Sequence, residues 1–252
     1  MSPDCVDLNC DLGEGSGADD EILPLVTSAN IACGFHAGGP AAMRQTVRAA
    51  LAHDVAIGAH PGLPDRENFG RIARPITADE AYEMVVYQVG ALDGFVRAGG
   101  GSMAHVKPHG ALYNMAATDA ALAEAIAAAV RDIDRRLVLM GLSGSELIRA
   151  GQRAGLITAS EVFADRSYRA DGSLTPRDRA GAMLTDAALV VQQAIDLVRK
   201  QRVRSLDDTD VPVHAETICV HGDGAHAVEF ARAIRRGFAE AGITVARLTR
   251  PA

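Results

Sequence analysis

In CVDLNCDLGE, residues 5–14, polar side chains that could do chemistry recur at every second position: Asp7, Asn9 and Asp11. In an extended chain these three share one face. The pattern D-x-N-x-D also opens a calcium loop, but such a loop needs glycine at its sixth position and glutamate at its twelfth. Here the sixth position is Leu12, and Glu14 comes four positions too early. Calcium is therefore set aside.

Other short apolar runs also end in ionisable groups. His36 follows one, and His60 ends another, with Asp65, Arg66 and Arg71 just beyond it. Lys107 and His109 lie in VKPHGALYN, Glu161, Asp165 and Arg166 around EVFADR, and His221 and Asp223 in ICVHGD. Singly, each has an ordinary explanation: a histidine at a strand end caps or packs, and an aspartate beside glycine makes a turn. Together, at the same end of successive strands, they point to one shared polar site. Pro108 biases Lys107 toward extended backbone, so Lys107 and His109 point to the same side. His105 and His109 form H-x-x-x-H, but on a strand rising ~3.3 Å per residue they stand about 13 Å apart and cannot share a metal.

Missing motifs narrow the chemistry. There is no G-x-x-x-x-G-K-[ST] loop, no G-x-S-x-G and no H-E-x-x-H, and GEGSG at 13–17 fails the G-x-G-x-x-G pattern. The cysteines, Cys5, Cys10, Cys33 and Cys219, form no C-x-x-C pair, and three of them, in or beside predicted strands, read as small core residues.

The elements that must position these groups alternate. Strand-like runs occupy 5–9, 28–34, 55–60, 104–108, 136–141, 156–163 and 217–222, with 243–248 a candidate eighth. Helical patterns lie between most of them. Pro40 suits a first helical position, and Thr77-Ala-Asp-Glu80 reads as a capping box. Residues 119–130 are alanine-rich, and 226–242 carry helical apolar spacing that ends at Gly242. Seven or eight strand–helix units indicate a parallel α/β barrel, closed or nearly so, as one domain over 1–252. Two long loops, 60–76 and 164–177, follow strands and so overlie the C-terminal mouth, where barrel enzymes work.

Composition excludes several classes. The net charge is −7, and the densest basic run, RKQRVR at 199–204, reads as the basic end of a helix rather than a nucleic-acid surface. No stretch reaches the ~18 apolar residues of a membrane span. The first twenty residues carry six acidic groups, unlike a signal peptide. The expected setting is the cytoplasm.

DLNCDLGE, SANIACGFHAGGP, GAHPGLPDRENFGR, VKPHGALYN and EVFADRSYRADGSLTPR, in this order, closely resemble the LamB/YcsF family, the 5-oxoprolinase A-subunit or lactam utilisation family. The resemblance runs from about residue 5 to about 248. It implies a distorted (β/α)7-type barrel of the glycoside hydrolase/deacetylase kind. It also implies ATP-dependent opening of 5-oxoproline to L-glutamate in concert with B and C subunits, with ATP and Mg handled by the assembled complex. Its motifs make Asp7 and His60 or His109 candidates for the base, and Lys107 the cation beside an oxyanion or phosphate. Asn9, Glu14, His36, Arg66, Arg71 and Asp165 are candidates for substrate binding, with Arg66 or Arg71 as a bidentate clamp for the substrate carboxylate.

The resulting expectations are specific. Asp7, His36, His60, Lys107 and His109 converge at the mouth. Lys107→Met spares the fold. No tightly bound metal is expected, because the histidine spacing matches no recognised cage and Lys107 would repel a cation. Two alternatives stay open: a metal-dependent deacetylase-like hydrolase using Asp7, His36, His60 and His109, and a non-catalytic lactam-binding subunit.

Overall fold

A computed structural model describes residues 4–221 and 226–248. The strands are β1 (Cys5–Leu12), β2 (Ser28–Ala32), β3 (Ala56–His60), β4 (Met103–Val106), β5 (Val138–Leu142), β6 (Thr158–Phe163), β7 (Arg202–Arg204), β8 (Asp210–Pro212), β9 (Thr217–Val220) and β10 (Thr244–Val245). The helices are α1 (Asp19–Ile22), α2 (Pro40–Ala52), α3 (Ala78–Ala98), α4 (Gly110–Ala116), α5 (Ala120–Ile133), α6 (Glu146–Arg153), α7 (Ala187–Lys200) and α8 (Ala227–Glu240).

Seven strands close a parallel ring in the order β1-β2-β3-β4-β5-β6-β9, with β9 returning to β1. The terminal run 243–248 does not enter this ring. Only Thr244 and Val245 pair, with Cys5 and Val6. β9 takes the edge of β1 from Asp7 to Cys10, so β10 is left with the lower end.

Local signals fix the helix starts. Thr77 and Glu80 form the reciprocal capping box of α3, and Asp119 and Asp186 cap α5 and α7 through their carboxylates. The basic run at 199–204 divides: Arg199 and Lys200 close α7, and Gln201 turns left-handed (φ 50°). Arg202–Arg204 then becomes β7, paired antiparallel with β8. This small hairpin is invisible to helical spacing because only Val203 and Val211 bury apolar side chains in it.

β1 shows why the barrel can hold charges. Val6, Leu8, Cys10 and Leu12 belong to the large apolar core, while Asp7, Asn9 and Asp11 alternate with them and are also buried. These polar residues therefore sit inside the ring, in layers. Lowest, Asp7 accepts from the hydroxyls of Thr27, Ser28 and Thr217. Above it, Asn9 donates to Glu161 Oε1 and Thr217 and accepts from Asn30, and the Asn30 carbonyl meets His105 Nε2 at 2.8 Å. Gly58 makes this layer possible, since a Cβ there would overlap the His105 ring. Asp11 forms the top layer. A smaller apolar cluster, Val138, Met140 and Ala159 with Ile157 and Leu248, stands apart from the main core.

Candidate active site

Above the polar layers, residues from several strand ends meet in two adjoining groups. The first centres on Lys107, just beyond β4. Its ammonium lies 2.9 Å from Asp11 Oδ1, 2.9 Å from Glu161 Oε1 and 3.1 Å from Cys219 Sγ. This is why a lysine can be 2% exposed: two carboxylates surround it. Burial alone would depress its pKa, but Asp11, Cys219 and Glu161 hold it well above the usual lysine value. Burial likewise opposes ionised Asp11, yet His60 and Lys107 hold that carboxyl well below its ordinary range. Glu161 Oε2 and the Tyr113 hydroxyl are buried and make no hydrogen bond of good geometry. Burial, then the neighbouring Glu161, raises the tyrosine's pKa well above its usual value.

The second group is a histidine cluster. His36 and His109 stack with centroids 3.7 Å apart and planes within 5°, and His60 stands edge-on to both. Gly62 and Gly70 leave room for the stack, because a Cβ on Gly62 would come within 2.6 Å of His36 Nδ1 and one on Gly70 within 2.7 Å of His36 Cβ. His60 Nε2 lies 3.3 Å from Asp11 Oδ2 and joins the two groups. Glu14 Oε1 is 3.1 Å from His36 Nε2, 3.5 Å from His109 Nδ1 and 3.8 Å from His60 Nε2. Burial, with His60 nearby, pushes the His36 pKa down to about 2. Burial, then His60 and His36, also lowers that of His109 well below the usual value.

His36, His60, Lys107 and His109 thus meet as expected, but Asp7 does not. It lies two layers below, enclosed by three hydroxyls, and burial outweighs those bonds to raise its pKa. Asp11, on the same face and nearer the strand's C-terminal end, occupies the place assigned to Asp7. Asn9 is fully buried, and its side-chain bonds go to Glu161, Thr217, Asn30 and Lys107, so it supports the lysine rather than facing a substrate. Arg66 donates to the carbonyls of Gly34 and Gly38, tying the 60–76 loop to the turn after β2. A carboxylate clamp there would first have to break both bonds. The exposed Arg71 lies over the Phe69 ring, 4.7 Å from its centre. Asp165 pairs with His221 Nδ1 at 2.9 Å, and although burial opposes it, His221 holds the carboxyl below its usual range. Asp223 lies outside the described residues.

Asp11, Glu161, Cys219 and His221 complete the surroundings, although the sequence reading gave none of them a role. Cys219 is more than a core residue, since its sulfur faces the lysine ammonium. The ligating atoms of Glu14, His36, His60 and His109 lie within 4.8 Å of one another although they come from four separate segments, and Lys107 is turned toward its own carboxylates. Asp11, Cys219 and His221 form a second close trio.

A closed parallel barrel with paired charges and histidines buried at its C-terminal mouth defines the class: a (β/α) barrel with a polar site where barrel enzymes carry theirs. The chain belongs to the LamB/YcsF family, whose model matches residues 6–252. A protein of Tolumonas auensis named as the A subunit of 5-oxoprolinase is 59% identical over 245 residues, covering 95% of this chain and 98% of that one. The crystal structure of a lactam utilization protein from Thermus thermophilus superposes with a TM-score of 0.90 at 44% identity, covering 96% of this chain and 99% of that one. A T48 deacetylase with substrate shares the fold alone, with a TM-score of 0.50 at 14% identity over 96% of this chain and 87% of that one.

Proposed function

We propose that this chain is the A subunit of a cytoplasmic, ATP-dependent 5-oxoprolinase, opening the lactam of 5-oxo-L-proline to L-glutamate together with B and C subunits. The observation that carries this reading is the Lys107–Asp11–His60 arrangement in a chain 59% identical to a protein of that name. A five-membered lactam is a poor electrophile. Its opening needs a proton taken from water and a cation beside the oxygen that gains charge. His60, oriented by Asp11 and by the Lys107 carbonyl, is suited to the first task, with His109 in contact as the alternative. The Lys107 ammonium is suited to the second. Glu161 Oε2 and the Tyr113 hydroxyl, buried beside each other, are suited to hydrogen bonds with the ring amide. Arg71 is the remaining candidate for the substrate carboxylate.

The glycine-rich turn at 13–17 is poorly suited to the phosphates of ATP. It spends its Gly13 N–H on Asp19 and carries Glu14, whose charge opposes a phosphate. ATP and its Mg are therefore assigned to the assembled complex, and the isolated chain should not turn over the lactam. Reconstitution with and without the partner subunits, measuring 5-oxoproline-dependent ATP hydrolysis and glutamate release separately, tests this. Glutamate release by this chain alone at the rate of the complex would overturn the partner requirement.

A further inference from the structure

The loop after β6 buries a positive charge that its surroundings do not neutralise. Arg166 is 5% exposed, yet among the described residues no carboxylate forms an ion pair with it, and the adjacent Asp165 is turned to His221 instead. Its Nε donates to the Ala182 carbonyl at 3.3 Å and its Nη2 to the Thr175 carbonyl at 2.5 Å. These bonds fix the planar fork, while Nη1 makes no hydrogen bond among the described residues. Buried arginines are normally paired with an anion, and two carbonyls offer only partial charge. Burial, then Arg177 on the same loop, lowers the Arg166 pKa to about 10; Asp165 opposes this without reversing it, and Arg71 from the 60–76 loop adds to the fall. Two hydroxyls of the same loop, Ser167 Oγ and Thr175 Oγ1, are buried with no hydrogen-bond partner. The backbone brings them together: the Thr175 N–H donates to the Ser167 carbonyl, and the bridge between Tyr168 and Leu174 sets Ser167 opposite Thr175.

We infer that Arg166, Ser167, Thr175 and Arg177 form a binding site for a tetrahedral oxyanion of the phosphate class. A guanidinium fork matches two phosphate oxygens at once, and the hydroxyls donate to a third. Two guanidiniums with two hydroxyls also suit a dianion better than a planar carboxylate, which carries one charge. Arg177 is the exposed member. Its Nη1 rests on Met183 Sδ at 3.5 Å, a weak acceptor that a phosphate oxygen would displace. Met183 bridges to Arg166 across the loop, so the exposed guanidinium rests beside the strand that carries the buried one. The site adjoins the Lys107 group. Asp165 holds His221, the ligating atoms of His221, Cys219 and Asp11 lie within 4.8 Å of one another, and Cys219 touches the lysine ammonium. In the 5-oxoprolinase reading, on which this last assignment rests, ATP is used elsewhere in the complex and its phosphoryl group reaches this chain on the activated lactam, beside the lysine.

Binding is measured on the full chain alone, with inorganic phosphate as the probe. Calorimetry should show one saturable site per chain, with acetate bound far more weakly. Arg177→Gln should weaken phosphate binding roughly tenfold or more, the effect of losing a charge-assisted hydrogen bond. Arg169→Gln, which removes the same charge from the same loop, should change it little. Arg166→Lys keeps the buried charge but loses the fork, and should also bind more weakly. Thermal melts show whether it folds, and Thr175→Val takes its place if it does not. No saturable phosphate binding by the unsubstituted chain would overturn the site. Equal losses in Arg177→Gln and Arg169→Gln would reduce it to a diffuse positive field, and acetate binding as tight as that of phosphate would make it a carboxylate clamp; either result overturns it. The source of the ligand is read in the reconstituted complex. Arg177→Gln that keeps ATP hydrolysis but loses glutamate release supports a phosphoryl group carried on the lactam, whereas full coupling leaves free phosphate as the ligand and overturns that assignment. The phosphate titration needs neither lactam nor partners, so its failure and that of the 5-oxoprolinase reading are distinguishable.

Discussion

The carbonyl of Lys107 accepts the Nδ1–H of His60 at 2.7 Å, while the side chain of the same lysine runs to Asp11 and Glu161. One residue therefore sets the tautomer of the histidine and neutralises two buried carboxylates. The backbone half of this arrangement survives any substitution at position 107, whereas the side-chain half does not.

Lys107→Met removes that countercharge. The sequence alone suggests a harmless change, because the apolar stem is kept. The structure predicts otherwise: breaking a buried pair from one side costs about 3–5 kcal/mol. The urea midpoint should fall accordingly. In the reconstituted complex, kcat should drop by about 10²–10³, the range for a lost oxyanion donor. An unchanged midpoint would show that the two carboxylates do not depend on the lysine.

Asp7 and Asp11 share a face but should behave differently. Asp7→Asn disturbs three hydroxyl bonds deep in the barrel and should cost about 1–3 kcal/mol of stability with catalysis largely kept. Asp11→Asn removes the charge that joins His60 to Lys107 and should lower kcat far more than Asp7→Asn does. Steady-state kinetics at a temperature where both variants are folded separates the two, and equal losses would refute the distinction.

Acid should destabilise the protein through its buried histidines, His36 and His109. A histidine with a lowered folded-state pKa binds fewer protons folded than unfolded. Its share of stability is complete above the ordinary value near ~6.5 and is lost as pH falls toward the folded-state value, about 2 for His36. Each such group contributes up to about 1.4 kcal/mol per pH unit in that window. Denaturant midpoints should therefore decline between about pH 6.5 and pH 4.5, and less steeply in His36→Gln.

Arg169 is exposed on the 164–177 loop at the barrel mouth. If that loop meets the partner subunits, Arg169→Ala should slow their association and flatten its salt dependence, with little effect on turnover once assembled. Association kinetics at two ionic strengths provide the measurement.

Much of this was legible in the sequence. Period-two polarity in β1 marks the inward face, and the capping box at Thr77 and the alanine-rich run at 119–130 mark real helices. The gathering of His36, His60, Lys107 and His109 followed from their places after successive strands. Depth did not follow. Asp7 and Asp11 have the same parity, and only the pairing register shows that Asp11 stands opposite Asn30 while Asp7 stands opposite Thr217. The histidine–glutamate cluster was hidden for a related reason: its spacing is set by four loops converging in space, not by one segment's period. The β7–β8 hairpin was missed because three-residue strands carry too little alternation to register.

Thr217 lies on β9, the last strand to enter the ring, and its hydroxyl bonds both Asp7 and Asn9 on the first. Those partners are 210 and 208 residues apart, so they meet only after almost the whole barrel has been threaded. Until then Asp7 and Asn9 lack one of their hydrogen-bond partners, and an incomplete ring has its least satisfied polar groups at the open seam. Closure is thereby made all-or-none: a chain stalled one strand short gains little from compaction, and slow, cooperative folding limited by this long-range pairing is the expected kinetic signature.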